Sequence, residues 1–471
     1  MTFERPPSPL FGAETEYAVT GWAAPGRRKP LGAAFRGTAV SRLDHLLDGR
    51  GQGVFLTNGQ RFYLDAGDHP EIASSEVTNP FDLVEQIRQG EAIMAFLAQA
   101  IEVAGLASEV AVYRTNVDYG DPAVKAGPTG WGQHENYLVS RHPLEYSAPL
   151  LGHLASRLVY CGGGGFNPLS SEGEFSLSPR ASFLEAVVSE HSTGKRPLFH
   201  IRNEPHNGRG WHRLHLICGE TVCGDVPIVL KFGTTALILA AIESGLDPGW
   251  GVVLESPLDA IRVFAGDPTC RATARLADGR SISALDLQLQ YLAVVDQAAR
   301  NGTLPPWAPS LIELWSEQLA GLARDPGELA TSVDWVMKYR LAERLSDRPA
   351  RFELDFRFGQ LGRDGIYEQL DRQGLCRRMV ERPDRPHPVG DPPADTRARR
   401  RGEAVAEYRL EPRKMQVFCD WTRVVDCASD RMLDLSDPFS TTATWQRREP
   451  RPERRPPVAL AAADDLFSEV F

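Results

Sequence analysis

Residues 11–20 read FGAETEYAVT, and the reading of this stretch decides the fold. Side chains two apart in a strand point the same way. Alternation therefore puts Ala13, Thr15, Tyr17 and Val19 on one face and Glu14, Glu16 and Ala18 on the other. Two anions on one strand face repel unless water solvates them or something positive sits between them. Two readings stand: a solvated edge strand, or a strand that offers both carboxylates to a divalent cation. The second turns the charged face of the sheet inward.

The same pattern recurs downstream. In RFYLDAGDHPEIASSE (61–76), Arg61, Tyr63 and Asp65 share one face, opposite Phe62 and Leu64; Asp68, His69 and Glu71 follow at a turn. Carboxylate oxygens with few thiolates suit Mg²⁺ or Mn²⁺ rather than zinc. A separate acid such as Asp65 can serve as a general base. The competing reading is a hairpin with a solvated polar face. WGQHENYLVSR (131–141) puts His134 and Asn136 on one face and Glu135 and Tyr137 on the other. IRNEPHNGRGWHRLHLICG (201–219) holds Arg202, Glu204, His206, Arg213 and His215, with Arg213 and His215 on one strand face. An arginine beside a metal-binding histidine suits a nucleoside triphosphate, although a lone histidine is more often an ordinary half-buried residue. Four alternating strands of this kind together predict a curved sheet. Its polar concave face cradles ATP and a divalent metal, and Glu14 and Glu16 face that cradle.

The rest of the chain predicts a mixed α+β fold. FLTNGQRFYLD reads as two strands around an Asn58-Gly59 hairpin turn. Residues 81–105 have a clear helical period, and 145–160, 233–245, 283–300, IELWSEQLAGLAR and SVDWVMKYRLAERLS add further helices. AVSRLDHLLDG reads as a short helix, and EVAVYRTNV, HENYLVSR, FHIRNEPH and HRLHLICGE as strands. Residues 382–402 are proline-rich and then arginine-rich, a linker or an anion-binding loop. The expected division is a catalytic domain over 1–403, a small C-terminal domain over 404–446 and a disordered tail over 447–471. The closing DDLFSEVF is read as part of a free tail, with a short docking helix as the alternative.

Bulk properties narrow the function. With 471 residues, 42% apolar and 24% charged, the composition is that of a soluble globular protein. The net charge of −10 argues against a general nucleic-acid binder. Apolar runs such as ALILAAI (236–242) are too short to span a bilayer, and the N-terminus has no apolar signal region. Seven scattered cysteines without a CxxC fit a reducing cytoplasm better than a zinc or disulfide framework. CGGGGF (161–166) and STGKRP (192–197) lack phosphate-loop spacing, and there is no GxSxG nucleophile motif.

The strings GAETEYAV, FLTNGQRFYLDAGDHPEIASSE, QHENYL, IRNEPH, HRLH, LKFGTTALIL, DWVMK and DPPADTRARRRGE, in this order, resemble the Pup ligase/Dop family. The resemblance runs from about residue 11 to about residue 440. It implies a glutamine-synthetase-like carboxylate–amine ligase fold. Such a fold has a curved antiparallel sheet cradling ATP and Mg, helices on its other face, and a small C-terminal domain. It implies Glu14, Tyr63 and Glu71 as magnesium ligands, with Glu16, His134 and His215 beside them. Arg61, Ser74, Arg202, Arg213 and Trp421 would contact the nucleotide, although threonine is more usual at the position of Ser74. Asp65 would be the catalytic base, and Arg397, Arg399 and Arg401 would meet the modifier. The implied partners are a small, disordered, Pup-like modifier and lysine-bearing target proteins, with neither nucleic acid nor membrane involved.

Within that family the chain leans toward the ligase, which joins the modifier's C-terminal glutamate side chain to a lysine amine. YLDAG and TRARRRGE resemble the ligase, and only 48 residues lie between Glu16 and Asp65, little room for the insertion of the deamidase/depupylase. FLTNG and SSEVTNP resemble the deamidase/depupylase, which stays as the alternative. Asn203 stands where the family's RDEPH motif has an acid.

Overall fold

A computed structural model describes residues 8–448, except 25–26, 50, 66, 121–126, 171–172, 192–193, 209, 250, 383–386 and 412–413. The DDLFSEVF segment lies outside the described residues, as do four positions of the 382–402 stretch. The main sheet has eleven strands. In chain order these are β1 (Phe11–Glu16), β2 (His45–Asp48), β3 (Gly53–Leu56), β4 (Arg61–Asp65), β5 (His69–Ala73), β6 (Gln133–Val139), β7 (His212–Leu216), β8 (Val417–Cys419), β9 (Arg423–Asp426), β10 (Arg431–Asp434) and β11 (Trp445–Arg447). Their spatial order is β7-β6-β1-β5-β4-β3-β2-β8-β9-β10-β11. Every pairing is antiparallel except β2 with β8. β1 thus sits inside the sheet, and the edge-strand reading of Glu14 and Glu16 falls away.

Burial along β1 alternates with period two: Phe11, Ala13 and Thr15 are buried, Gly12, Glu14 and Glu16 half-buried. The buried face packs against helix α2 (Pro80–Val103) and, through Tyr137 and Val139 of β6, against α3 (Asp225–Glu243). The other face is the curled, polar one. α2 begins where the sequence says it should: Asn79 caps it by accepting a hydrogen bond from the Phe81 amide at 3.0 Å, and Pro80 fills the first turn. α3 is 19 residues long and apolar enough to cross a membrane by length and composition, and it is wholly buried in the core. Its C-terminal part matches the helix expected over 233–245; its first eight residues, which include Asp225, Pro227 and Lys231, were not expected to be helical. The Asn58-Gly59 turn joins β3 and β4 as predicted; Gly59 has φ +79°, and a Cβ there would lie 2.8 Å from Ser75 Oγ.

Four segments differ from the sequence expectation. FGAETEYAVT is two strands, because Tyr17 turns inward into the core after β1 and Ala18–Ala24 joins a separate three-stranded sheet. The helix expected over AVSRLDHLLDG is α1 (Gly32–Arg42) and ends at Arg42; His45–Asp48 is a strand, because Leu46 is drawn into a cluster with Phe55 and Val417. In FHIRNEPH the strand stops at His200, and Ile201–His206 is a loop. The arginine-rich run is the start of a helix, Arg397–Tyr408, capped by Thr396. That helix, α4, packs Ala404, Val405 and Tyr408 onto β2, β3 and the C-terminal strands.

Candidate active site

The cradle is built by register. Glu14 stands opposite His134 on one side and Ala73 on the other. Glu16 stands directly opposite Glu71, and Glu71 directly opposite Tyr63. Like charges facing each other across strands are destabilising, and here an acid pair sits at the centre of the sheet. Two groups of donors result, each within 4.8 Å: Glu14, His134 and His215, and Glu16, Asp65 and Glu71.

The first group is neutralised in part by protein. Arg213 Nη2 donates to Glu14 Oε1 at 3.0 Å, and its Nε donates to Asn136 Oδ1 at 2.6 Å. His215 Nε2 and His134 Nδ1 lie 3.3 and 3.5 Å from Glu14 Oε2. Burial alone would raise the Glu14 carboxyl; Arg213 and the two imidazoles outweigh it and hold it well below the usual range. Burial, with Arg213 beside it, pushes the His215 imidazole down to about 3, so it is neutral and able to ligate.

The second group is not neutralised. Glu71 is 2% exposed, and its Oε1 has no hydrogen-bond partner. Burial raises its carboxyl well above the usual range, and Glu14, Glu16 and Asp65 push it further the same way. Burial likewise raises the Tyr63 hydroxyl, helped by Glu71. Glu16 is held by the Gly132 amide, 2.6 Å from its Oε2. An orphaned buried carboxylate oxygen, a facing acid and an all-oxygen donor set fit a hard divalent cation such as Mg²⁺. Glu16 and Glu71, with Asp65 beside them, would hold one, and Glu14 with the two histidines another.

Two cavities share Glu14 and Arg213. One is a mainly apolar recess walled by Phe11, Gly12, Ser74, Asn136, Arg397, Trp421 and Pro438. The other, of about 280 Å³, holds both donor groups together with Tyr63, Arg180, Arg196, His200, Arg202 and Glu204. Ser74 forms part of the recess floor, accepting from the Ala13 amide and donating to the Ser75 carbonyl, both at 2.9 Å. Trp421 is clamped between the edge of Phe55 and the Arg401 guanidinium, 4.7 Å from its ring centre.

The expected site residues do not all converge. Glu14, Glu16, Tyr63, Asp65, Glu71, His134, Arg202, Arg213 and His215 line the polar cavity, and Ser74 and Trp421 the recess. Arg61 lines neither; it is bound to Asp48 at 2.6 Å and lies over the Tyr63 ring. The three arginines of α4 expected to meet the modifier separate. Arg397 reaches the recess while bonded to Glu76 at 2.7 Å. Arg399 is on the surface, paired with Glu403. Arg401 is fully enclosed, bound to Glu76 and, at 3.0 Å, to the Gly59 carbonyl. Glu76 was missed by the sequence reading; it lies beyond the end of β5, where strand alternation no longer assigns a face. Arg180, in the short 3-10 helix Pro179–Phe183, and Arg196, in the STGKRP string set aside for lacking phosphate-loop spacing, were missed as well.

Comparison with known proteins places this geometry. A family model described as Pup-ligase protein matches residues 9–425. Pup–protein ligase 1 of Rhodococcus erythropolis is 34% identical over 408 residues, covering 83% of this chain and 88% of the relative. The Pup–protein ligase of Nocardia farcinica is also 34% identical, with the same coverage. Among solved structures, the complex of the modifier Pup with its ligase PafA superposes with a TM-score of 0.78 at 25% identity, covering 92% of this chain and 90% of the other. PafA bound to ADP superposes with a TM-score of 0.71 at 26% identity, covering 83% and 87%. A chain with this sheet, this shared cavity and these relatives belongs to the Pup-ligase protein family.

Proposed function

We propose that this protein is an ATP-dependent ligase. It joins the side-chain carboxylate of the C-terminal glutamate of a Pup-like modifier to a lysine amine of a target protein. The observation that carries the reading is the junction at Glu14 and Arg213, where an apolar recess opens into an acid-lined cavity on one sheet face. The relatives named above are ligases, which favours ligation over the deamidase/depupylase reading.

The recess takes the adenine against Trp421, with Ser74 and Asn136 at its wall. Arg213, already aligned by Asn136, meets the phosphate chain at the junction. Bound Mg²⁺ supplies electrostatic stabilisation for the charge gathered when one anion attacks another. The γ-carboxylate displaces ADP from the terminal phosphoryl group and becomes an acyl phosphate. The lysine amine must then arrive unprotonated. Asp65, at the open end of β4 and exposed, takes its proton, and the amine attacks the acyl carbon with phosphate leaving.

The test uses purified protein, Mg-ATP, a lysine-bearing acceptor and Pup-like modifier ending in Glu or Gln, followed by intact-mass spectrometry. A conjugate of modifier plus acceptor minus water, formed with ADP from the Glu form alone, is the expected result. A one-dalton gain on the Gln form without conjugation overturns it.

A further inference from the structure

Two guanidinium groups of the polar cavity have no carboxylate partner among the described residues. Arg180 donates to backbone carbonyls, those of Trp131 and, at 3.0 Å, Ile217. Arg196 rests on the Phe183 ring, 5.3 Å from its centre, and makes no ion pair among the described residues. The cavity's other arginines are committed, Arg213 to Glu14 and Arg202 to Glu204.

Arg180 is placed by Gly132. Its amide donates to Glu16 Oε2 at 2.6 Å, and a Cβ on it would lie 2.9 Å from the Arg180 guanidinium carbon. Arg180 therefore stands at the Glu16 end of β1, and Arg196 lines the same cavity, near enough that its like charge adds to burial in lowering the Arg180 guanidinium. Along β1, Gly12 lines the recess, Glu14 the junction and Glu16 the polar cavity, each step about 7 Å on. These two cations line the polar cavity beyond the junction, the side on which Glu16 clusters with Asp65.

A C-terminal glutamate brings two carboxylates. The γ-carboxylate must enter among Glu16, Asp65 and Glu71 to be activated. The α-carboxylate follows it, two methylenes away, into the same anionic cavity. There it is repelled unless a cation meets it, and a guanidinium matches a carboxylate two-pronged. We propose that Arg196, backed by Arg180, binds the α-carboxylate of the modifier's terminal glutamate and so reads the free chain end. This rests on the ligase reading given above.

The experiment compares two synthetic modifiers, one ending in glutamate and one in glutamate α-carboxamide, both with a free γ-carboxylate, on wild type and on Arg196→Ala and Arg196→Lys. The α-carboxamide is expected to lower wild-type kcat/KM about tenfold or more, the worth of one charged hydrogen bond. Arg196→Ala should lose a similar factor on the free acid and little more on the carboxamide, with KM for ATP unmoved and Arg196→Lys intermediate. Equal wild-type rates on both modifiers overturn the proposal while leaving the ligase intact, and decide the matter even if the variants do not fold. A raised KM for ATP in Arg196→Ala, with discrimination retained, overturns it in favour of phosphate binding. No conjugate and no ADP from either modifier removes the ligase reading and the proposal with it.

Discussion

Asp65 and Glu71 occupy one donor cluster but differ in burial, and their tests differ accordingly. Asp65 is exposed at the strand end, so Asp65→Asn leaves the fold and the recess as they are. Conjugation by Asp65→Asn is expected to fall by about 10²–10⁴, with little change in nucleotide affinity by calorimetry. Glu71 is buried with a raised carboxyl pKa. A group that holds its proton more tightly folded than unfolded stabilises the metal-free fold at low pH. That contribution is lost as pH rises past the usual carboxylate value and through the raised one. Relative to Glu71→Gln in the same thermal scans, metal-free wild type should therefore melt at progressively lower temperature as pH rises from 5 to 8, and Mg²⁺ should reverse that trend by binding the ionised form. The acids were legible in the sequence because strand alternation alone assigns their face. Which two face each other was not, since register comes from pairing with segments some 55 residues away.

At the scale of the element, Arg397–Tyr408 closes the recess from above. Two of its arginines, Arg397 and Arg401, converge on Glu76, whose carboxyl they pull from 4.5 down to about 2 against the cost of burial. A group held low contributes stability above the unfolded pKa and loses it as pH falls toward the folded one, here between about 4.5 and about 2. The shift corresponds to about 3 kcal/mol. Arg401→Met leaves Glu76 buried and short of a cation, and should cost about 3–5 kcal/mol in denaturant unfolding. Adding Glu76→Gln should recover part of that, a coupling readable in a double-mutant cycle. This helix was hidden from the sequence by its surroundings: prolines precede it, and its first turn is a charge run. Its apolar stripe of Ala404, Val405 and Tyr408 is legible as a face once the C-terminal strands are there to receive it. The strand His45–Asp48 was misread for the same reason. Its partner on one side, Val417–Cys419, lies far along the chain.

Across the whole molecule, the nucleotide recess is assembled from both ends of the sequence. Gly12 and Ser74 form one side, Trp421 and Pro438 the other. A chain cut after residue 410 should keep both acid clusters yet lose most of its nucleotide affinity, and should expose Leu46 and Phe55 to a dye that reports apolar surface. The broad α+β architecture followed from periodicity, because long helices and alternating strands announce themselves locally. The parallel joint between His45–Asp48 and Val417–Cys419 has no local signature.

That joint has a consequence for the order of events at the ribosome. The strand that receives Val417–Cys419 is made within the first tenth or so of translation, but the wall carrying Trp421 emerges near the end. Domains fold from the N-terminus as they are made, and a pairing this distant in sequence closes late. A nascent chain can thus build its acid clusters early and still lack the means to hold a nucleotide, so a half-made enzyme tethered among other newborn proteins has no fuel with which to tag them.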